Sequence, residues 1–485
     1  VAVTTKSDAY NLVAIGAGSA GLVSAYIAAA VKAKVALIER DKMGGDCLNT
    51  GCVPSKALIK TARVVAEIRN HKRYGIKSAT CEIDFAEVMA RVKRVVAEIE
   101  PHDSVERYTS LGVECISGEA TVLDRHTVQV GGRTLKAKNI VLAIGAEPIV
   151  PAIKGIETIK PLTSENLWDL KTLPKRLVVL GGGPIGCEMT QAFARLGSQV
   201  TQVEMGPRLL PREDDDVAAL VAARFKDEGV RVMTAAKAVG VTVEAGVKRL
   251  VCDVGGKQET VEFDELLVAV GRKARTHGWD FKSLGIELNP NGTIKVDDYM
   301  CANPSTGGNI YACGDAAGPY QFTHVASHQA WYCAVNALFK PLKQFKVDYR
   351  VIPWVTFTDP EVAQVGHNEM TAKAAGIPYE VTRYGVDDLD RAIAESEAHG
   401  QVKVLTVPGK DRIIGANIVS HHAGELIAEF VAAMKHGFGL NKILGTIHSY
   451  PTWVEANKYA AGNWKKAHAP EQILKYLEKF HGWRR

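Results

Sequence analysis

Two stretches of this 485-residue chain repeat one arrangement: a short apolar strand, a G-x-G-x-x-G turn, a helix, a second strand and a terminal acid. The first runs from the strand at 10–15 through Gly16, Ala17, Gly18, Ser19, Ala20 and Gly21. A small-residue helix follows to about Val31, then the strand Val35 to Ile38, ending at Glu39. The second runs from Leu177 to Leu180 through Gly181, Gly182, Gly183, Pro184, Ile185 and Gly186. Its helix reaches about Leu196, and its second strand, Val200 to Val203, ends at Glu204. In such a unit the first glycine allows the tight turn, the second admits a pyrophosphate, and the third lets helix pack on sheet. The free N–H groups of the helix start attract the phosphates, and the acid accepts bonds from a ribose. Two units predict two dinucleotides and an α/β fold with two Rossmann-like domains.

Composition is that of a large globular, soluble protein. Apolar residues make up 46% of the chain, enough for three or four domains. Leu12 to Val31 carries no charge and would score as a membrane span or a signal sequence, but its glycines mark it as strand, turn and helix. The sequence begins at Val1 without methionine, as processing or trimming would leave it. Nine cysteines, an odd number, argue against a secreted disulfide framework and for a reducing cytoplasm. From Lys458 onward, seven Lys or Arg face only Glu471 and Glu478, which accounts for the whole net charge of +5. The rest of the chain is neutral and offers no nucleic-acid groove.

Residues 44–56 read GGDCLNTGCVPSK. A five-residue helical step rises about 7.5 Å, more than the roughly 4.4–6.8 Å between disulfide-bonded Cα atoms, so pairing Cys47 with Cys52 requires a bend. Asn49, Thr50 and Gly51 permit one, and Pro54 suits the first turn of a following helix. The residues alone leave a redox pair, a metal site and two free thiols open. His71 and Cys81, the nearest further ligand types, make no zinc motif, and no metal is expected. The whole segment closely resembles the redox-active segment of the FAD-dependent pyridine nucleotide–disulfide oxidoreductases, which include dihydrolipoamide dehydrogenase, glutathione reductase and mercuric reductase.

That resemblance covers roughly residues 8–460. It implies an FAD-binding domain at 1–150, a nicotinamide-nucleotide domain at 151–272, a second FAD-binding part at 273–348 and an α+β dimerisation domain at 349–485. FAD would meet Gly16, Gly18, Ser19, Ala20, Gly21, Glu39, Gly45, Lys56, Ala120, Gly145, Gly314, Asp315 and His324. Gly181, Gly183, Ile185, Gly186, Glu204 and Gly271 would hold NAD(P)H. Glu204 favours NADH, since a 2′-phosphate would be repelled there, although Arg208 and Arg212 lie near. Cys52 would be the flavin-proximal thiolate and Cys47 the exchange thiol, with Lys56 paired to Glu188. His324 and His328 stand one turn apart on a helix expected from Thr323, which would aim its positive end at the flavin. Helices are expected at 54–70, 85–111 and 424–436. Strands are expected at 113–117, 120–123, 127–130, 139–144, 352–357, 402–407 and 413–419.

The resemblance breaks at His448-Ser449-Tyr450-Pro451-Thr452-Trp453-Val454-Glu455. Disulfide-reducing members deliver a histidine here from the partner subunit of a homodimer, backed by the acid at Glu455. Here tyrosine stands in its place, as in mercuric reductases. An unperturbed phenol with pKa about 10 is a poor base at neutral pH. No cysteine follows Cys333 in these 485 residues, so the terminal cysteine pair usual in mercuric reductases is not expected, nor is the extra N-terminal domain of some. Three readings follow: reduction of a thiophilic metal ion or small sulfur species; a dihydrolipoamide dehydrogenase or other disulfide reductase using Tyr450 with His448 or water; or a redox sensor acting through its basic tail. In that tail Ile473, Leu474, Leu477 and Phe480 share one helical face. Packing on its own protein is the expectation, ahead of contact with a membrane.

Overall fold

The computed structural model describes residues 9–485. Strands Val113–Ser117, Val35–Glu39, Tyr10–Ile15 and Arg133–Leu142 lie side by side, with Ile310–Ala312 joining the far edge of the last. These pairings are parallel, and the central strands Tyr10–Ile15 and Val35–Glu39 are almost wholly apolar and buried. Helices Ser19–Ala30 and Thr323–Phe339 pack together on this sheet, their alanines permitting close approach. Gly21 must be glycine, since an added Cβ would fall 1.7 Å from Gly16 O.

The strand expected at 139–144 is the second half of a longer one, Arg133–Leu142. Its first half alternates exposed and buried residues and pairs antiparallel with Thr127–Val130, in turn paired with Ala120–Asp124. The helix expected at 85–111 is broken: Phe85–Ile99 gives way to a 3₁₀ turn, Glu100–Asp103, before Val105–Ser110. Pro101 cannot donate to the preceding turn, and Ser104 caps the restart through Arg107 N.

The second fingerprint has its own parallel sheet, in the order Arg231–Met233, Gln199–Val203, Arg176–Leu180, Glu265–Val268. A three-stranded antiparallel sheet, Ala236–Glu244, Val247–Val254 and Lys257–Phe263, packs beside it. The C-terminal part is a five-stranded antiparallel sheet, Pro353–Thr356, Glu361–Gly366, Ile413–Ser420, Gln401–Thr406 and Glu380–Gly385, backed by helices Ala423–His436 and Glu455–Ala467. The expected helix and strands are present there, with two further strands, Glu361–Gly366 and Glu380–Gly385.

The tail forms the helix Glu471–Trp483, and none of its residues is buried. Within one chain, the expected packing of this helix on the protein is not made. No helix among the described residues is long and apolar enough to cross a membrane.

Candidate functional site

Cys47 lies in the short helix Gly45–Asn49, and Cys52 begins the helix Cys52–Arg69. Thr50 and Gly51 supply the bend between them, and Pro54 sits in the first turn of the second helix. The two thiols are free and hydrogen-bonded to each other. Cys52 is pulled down to about 6, chiefly by the bond from Cys47 and further by Thr323 and the charge of Lys56, against the cost of burial. Thr323 Oγ1 stands 3.3 Å from Cys52 Sγ. The same bond, with burial, pushes Cys47 far above the ordinary thiol range. Both shifts favour the proton on Cys47 and the negative charge on Cys52, which stands at the positive end of an eighteen-residue helix.

Lys56, one turn along, donates to Glu188 Oε2 at 2.8 Å and lies 4.3 Å from the centre of the Phe357 ring. Glu188 is buried, and its other oxygen accepts from Phe357 N at 3.0 Å. The Lys56–Glu188 pair implied by the resemblance is present, and its bonds join all three parts of the chain.

These groups line a cavity of about 1550 Å³ that also reaches Gly16, Gly18, Ser19, Ala20, Glu39, Gly45, Ala120, Gly145, Gly314 and Asp315. Its size exceeds the roughly 300–1,000 Å³ of ordinary ligand pockets and suits a dinucleotide. The lining fits FAD: Gly18 and Gly45 face each other so closely that a Cβ on Gly45 would sit 2.6 Å from Gly18 Cα, keeping the phosphate passage open to backbone alone. Glu39 accepts from Ala17 N at 2.6 Å and Asp41 N at 2.9 Å, which holds its carboxylate at the cavity rim. Gly21 sits behind the lining, as its packing role requires.

His324 does not line the cavity. Its Nε2 meets Pro353 O at 2.8 Å and its ring stacks on Phe322, while Thr323 takes the place beside Cys52. His328 meets Asp348 O at 3.2 Å, so the two histidines anchor the entry to the C-terminal part. Gly181, Gly183, Gly186, Glu204 and Gly271 lie outside the cavity, and Ile185 reaches it from the second fingerprint. Glu204 accepts from Gly182 N and Gly206 N, both at 2.5 Å. Arg208 is turned from Glu204 toward Glu213 O and Asp215.

Tyr450 is 68% exposed and donates to Asp390 Oδ2 at 2.9 Å. Asp390 pushes the phenol up from its ordinary value, so it is a donor and not a base. Glu455 accepts from Thr452 N and Tyr459 Oη. His448 faces Glu429 Oε1 at 2.9 Å and Thr446 O at 3.0 Å. These residues do not line the cavity within one chain.

Sequence reasoning missed Thr323 as a side-chain partner of Cys52, and it missed Asp46, Arg272 and Trp168. Arg272 pairs with Asp46 and lies 3.6 Å from Asp315, while Trp168 reaches the segment between the cysteines. Asp359, Glu397 and His399 come close enough to hold an ion, but Arg195 and Arg224 already occupy them.

A redox cysteine pair beside a dinucleotide cavity, with a second fingerprint behind it, defines a disulfide oxidoreductase that uses two dinucleotides. Residues 10–330 match the pyridine nucleotide-disulphide oxidoreductase model and residues 352–461 its dimerisation domain, and the chain belongs to that family. The family uses FAD and a pyridine nucleotide, and the dimerisation domain makes the protein a homodimer. The chain is 34% identical to a mercuric reductase of Lysinibacillus sphaericus over 94% of its own length and 83% of the relative's. It is also 34% identical to a dihydrolipoyl dehydrogenase of Chlamydia muridarum, over 93% and 95%. Among solved structures, the HOCl-induced flavoprotein disulfide reductase RclA of Escherichia coli superposes with a TM-score of 0.82 at 28% identity, covering 93% of this chain and 99% of that one.

Proposed function

We propose that the protein is an NADH-dependent flavoenzyme that passes two electrons through Cys47 and Cys52 to a thiophilic metal ion or small sulfur species. FAD, when bound, supplies the electron relay between the nicotinamide and the disulfide. The observation that carries the reading is the setting of the cysteine pair: Thr323 and the Lys56–Glu188 pair, not a histidine, are the side chains set around Cys52, and they favour its thiolate while the proton stays on Cys47. Passing that proton to Cys52 frees Cys47 as nucleophile. Against an acceptor S–S bond, Cys47 attacks one sulfur and the leaving sulfur takes the proton from Cys52. Cys52 then displaces the bound half and restores the Cys47–Cys52 bond. A thiophilic divalent ion would instead be held by both sulfurs once the Cys47 proton has gone to solvent, and would leave as the neutral metal as the two thiolates give up two electrons and form the Cys47–Cys52 bond.

The engagement of Arg208 by Glu213 O and Asp215 leaves Glu204 to face a ribose and supports NADH over NADPH. Tyr450 would reach the acceptor of the partner subunit as a proton donor. His448, engaged by Glu429, is poorly placed to act as base, which weighs against lipoamide-type exchange. The setting is a reducing cytoplasm, in keeping with the buried thiols Cys187, Cys252, Cys301, Cys313 and Cys333.

The test is anaerobic reduction of the holoenzyme with NADH or NADPH, followed by turnover on mercuric ion, inorganic polysulfide, lipoamide and glutathione disulfide. NADH should make Cys47 and Cys52 alkylatable about tenfold faster than NADPH. Turnover should be confined to the ion or the polysulfide. Fast lipoamide or glutathione turnover would restore the ordinary disulfide reductase, and no new alkylatable thiols would overturn the pair's role.

A further inference from the structure

The helix Glu471–Trp483 leaves its apolar face uncovered in the chain: Ile473 is 56% exposed, Leu474 51%, Leu477 40% and Trp483 82%. At 3.6 residues per turn, Trp483, Tyr476, Phe480, Ile473, Leu477 and Leu474 sweep one half of the helix surface, with His481 at its edge between the last two. Glu471, Gln472, Lys475, Glu478 and Lys479 occupy the other half. Lys465 and Lys466 precede the helix and Arg484 and Arg485 follow it.

We propose that this helix docks flat on an anionic lipid surface, its apolar half in the headgroup boundary and its basic side chains on the lipid phosphates. Charge selects that occupant. Within the helix Lys475 and Lys479 balance Glu471 and Glu478, but Lys465, Lys466, Arg484 and Arg485 flank it with no acid among them, so pairing two such tails would set these cations against each other, whereas an anionic bilayer attracts them. The face is also aromatic: Tyr476, Phe480 and Trp483 are suited to the depth where apolar core meets headgroup. The dimerisation match ends at residue 461, before the helix begins. A helix of thirteen residues is about 20 Å long, too short to cross a bilayer but long enough to lie in its surface. The docked enzyme would present its catalytic body beside the membrane, joined through Glu455–Ala467.

The test is sedimentation of FAD-loaded full-length enzyme with vesicles of pure phosphatidylcholine and with vesicles in which about a third of the lipid is phosphatidylglycerol. Binding should be at least about tenfold stronger on the anionic vesicles and should weaken as salt is raised. L477D/F480D should lose it while retaining FAD content and NADH-dependent dye reduction, since neither residue touches the redox site. If that variant loses FAD, a chain ending at Ala469 replaces it. No vesicle binding, equal binding to both vesicles, or full binding by the variant would overturn the proposal. So would dissociation of the dimer by the variant without any vesicle binding by the wild type, which would assign the face to a second copy.

Discussion

Trp168 Nε1 donates to Thr50 O at 2.9 Å, reaching the segment between the two cysteines from the strand-poor stretch that leads into the second fingerprint. The same N–H is shared with Ser164 O at 2.8 Å, and Ser164 Oγ receives Arg272. Arg272 pairs with Asp46, and Thr50 Oγ1 returns to Asp46 Oδ1 at 3.3 Å. The redox segment is thus clasped from both ends of the nucleotide-binding part. Replacing Trp168 by Phe keeps the ring but removes the donor. Acceptor turnover should fall about tenfold, because a small misplacement of a reacting group is costly. NADH-dependent reduction of a dye that bypasses the cysteines should be unchanged, and a parallel loss of both rates would refute the clasp.

The pH dependence of the cysteine pair follows from its neighbours. In the reduced enzyme, alkylation of Cys52 should rise through a midpoint near pH 6, the value to which it is lowered. Cys47→Ala removes the leading cause and should move the midpoint up. Lys56→Met should also raise it, while Glu188→Gln should lower it, since the positive and negative charges act in opposite directions on the thiolate. Mass spectrometry of iodoacetamide-treated protein across pH reads all three, and a shared direction for Lys56→Met and Glu188→Gln would contradict this electrostatic account.

Glu213 ties the second fingerprint region to the C-terminal sheet, accepting from Trp354 Nε1 at 2.7 Å and Asn417 Nδ2 at 3.1 Å. Burial pushes its carboxyl up to about 7, against the Trp354 bond. Between the ordinary carboxylate range and pH 7 the folded chain holds the extra proton, so its contribution to stability is present at low pH and lost as pH rises through 7. Glu213→Gln should therefore stabilise the protein at pH 8 by about 1–3 kcal/mol and have little effect at pH 5. Thermal unfolding at the two pH values checks the sign.

Tyr450→Phe removes a proton donor and leaves Asp390 without its partner. Acceptor turnover should drop about tenfold while reduction of the cysteine pair by NADH is unaffected. Tyr450→His should not raise lipoamide turnover appreciably, and a large gain would favour the disulfide-reductase reading.

What was legible in the sequence is local. Both fingerprints, the Cys47–Cys52 bend and the C-terminal helix repeat patterns whose geometry a few neighbouring residues dictate. The break at Pro101 was equally readable, but the apolar spacing from Val88 to Ile99 masked it. In the strand Arg133–Leu142 only the buried half reads as an apolar run, because the other half changes partner and faces solvent. His324 was misread for another reason: spacing put it one turn from His328, but only packing could turn both rings toward backbone carbonyls at 348 and 353. Arg272 and Asp46 are 226 positions apart, and nothing near either one announces the other. The tail's amphipathic pattern was plain, while its lack of cover within the chain was a matter of tertiary structure.

The carboxylates of Glu39 and Glu204 close their fingerprints in the same way. Each accepts the N–H of the turn's second residue, Ala17 in one and Gly182 in the other, across the same separation of 22 positions. That shared latch closes each turn with a carboxylate, so the two fingerprints hold their strand-to-helix corner by the same bond. What surrounds the latch differs: a cysteine pair follows Glu39, and an arginine turned aside follows Glu204. Transplanting the loop beyond either acid should then alter nucleotide preference without rebuilding the fold beneath it.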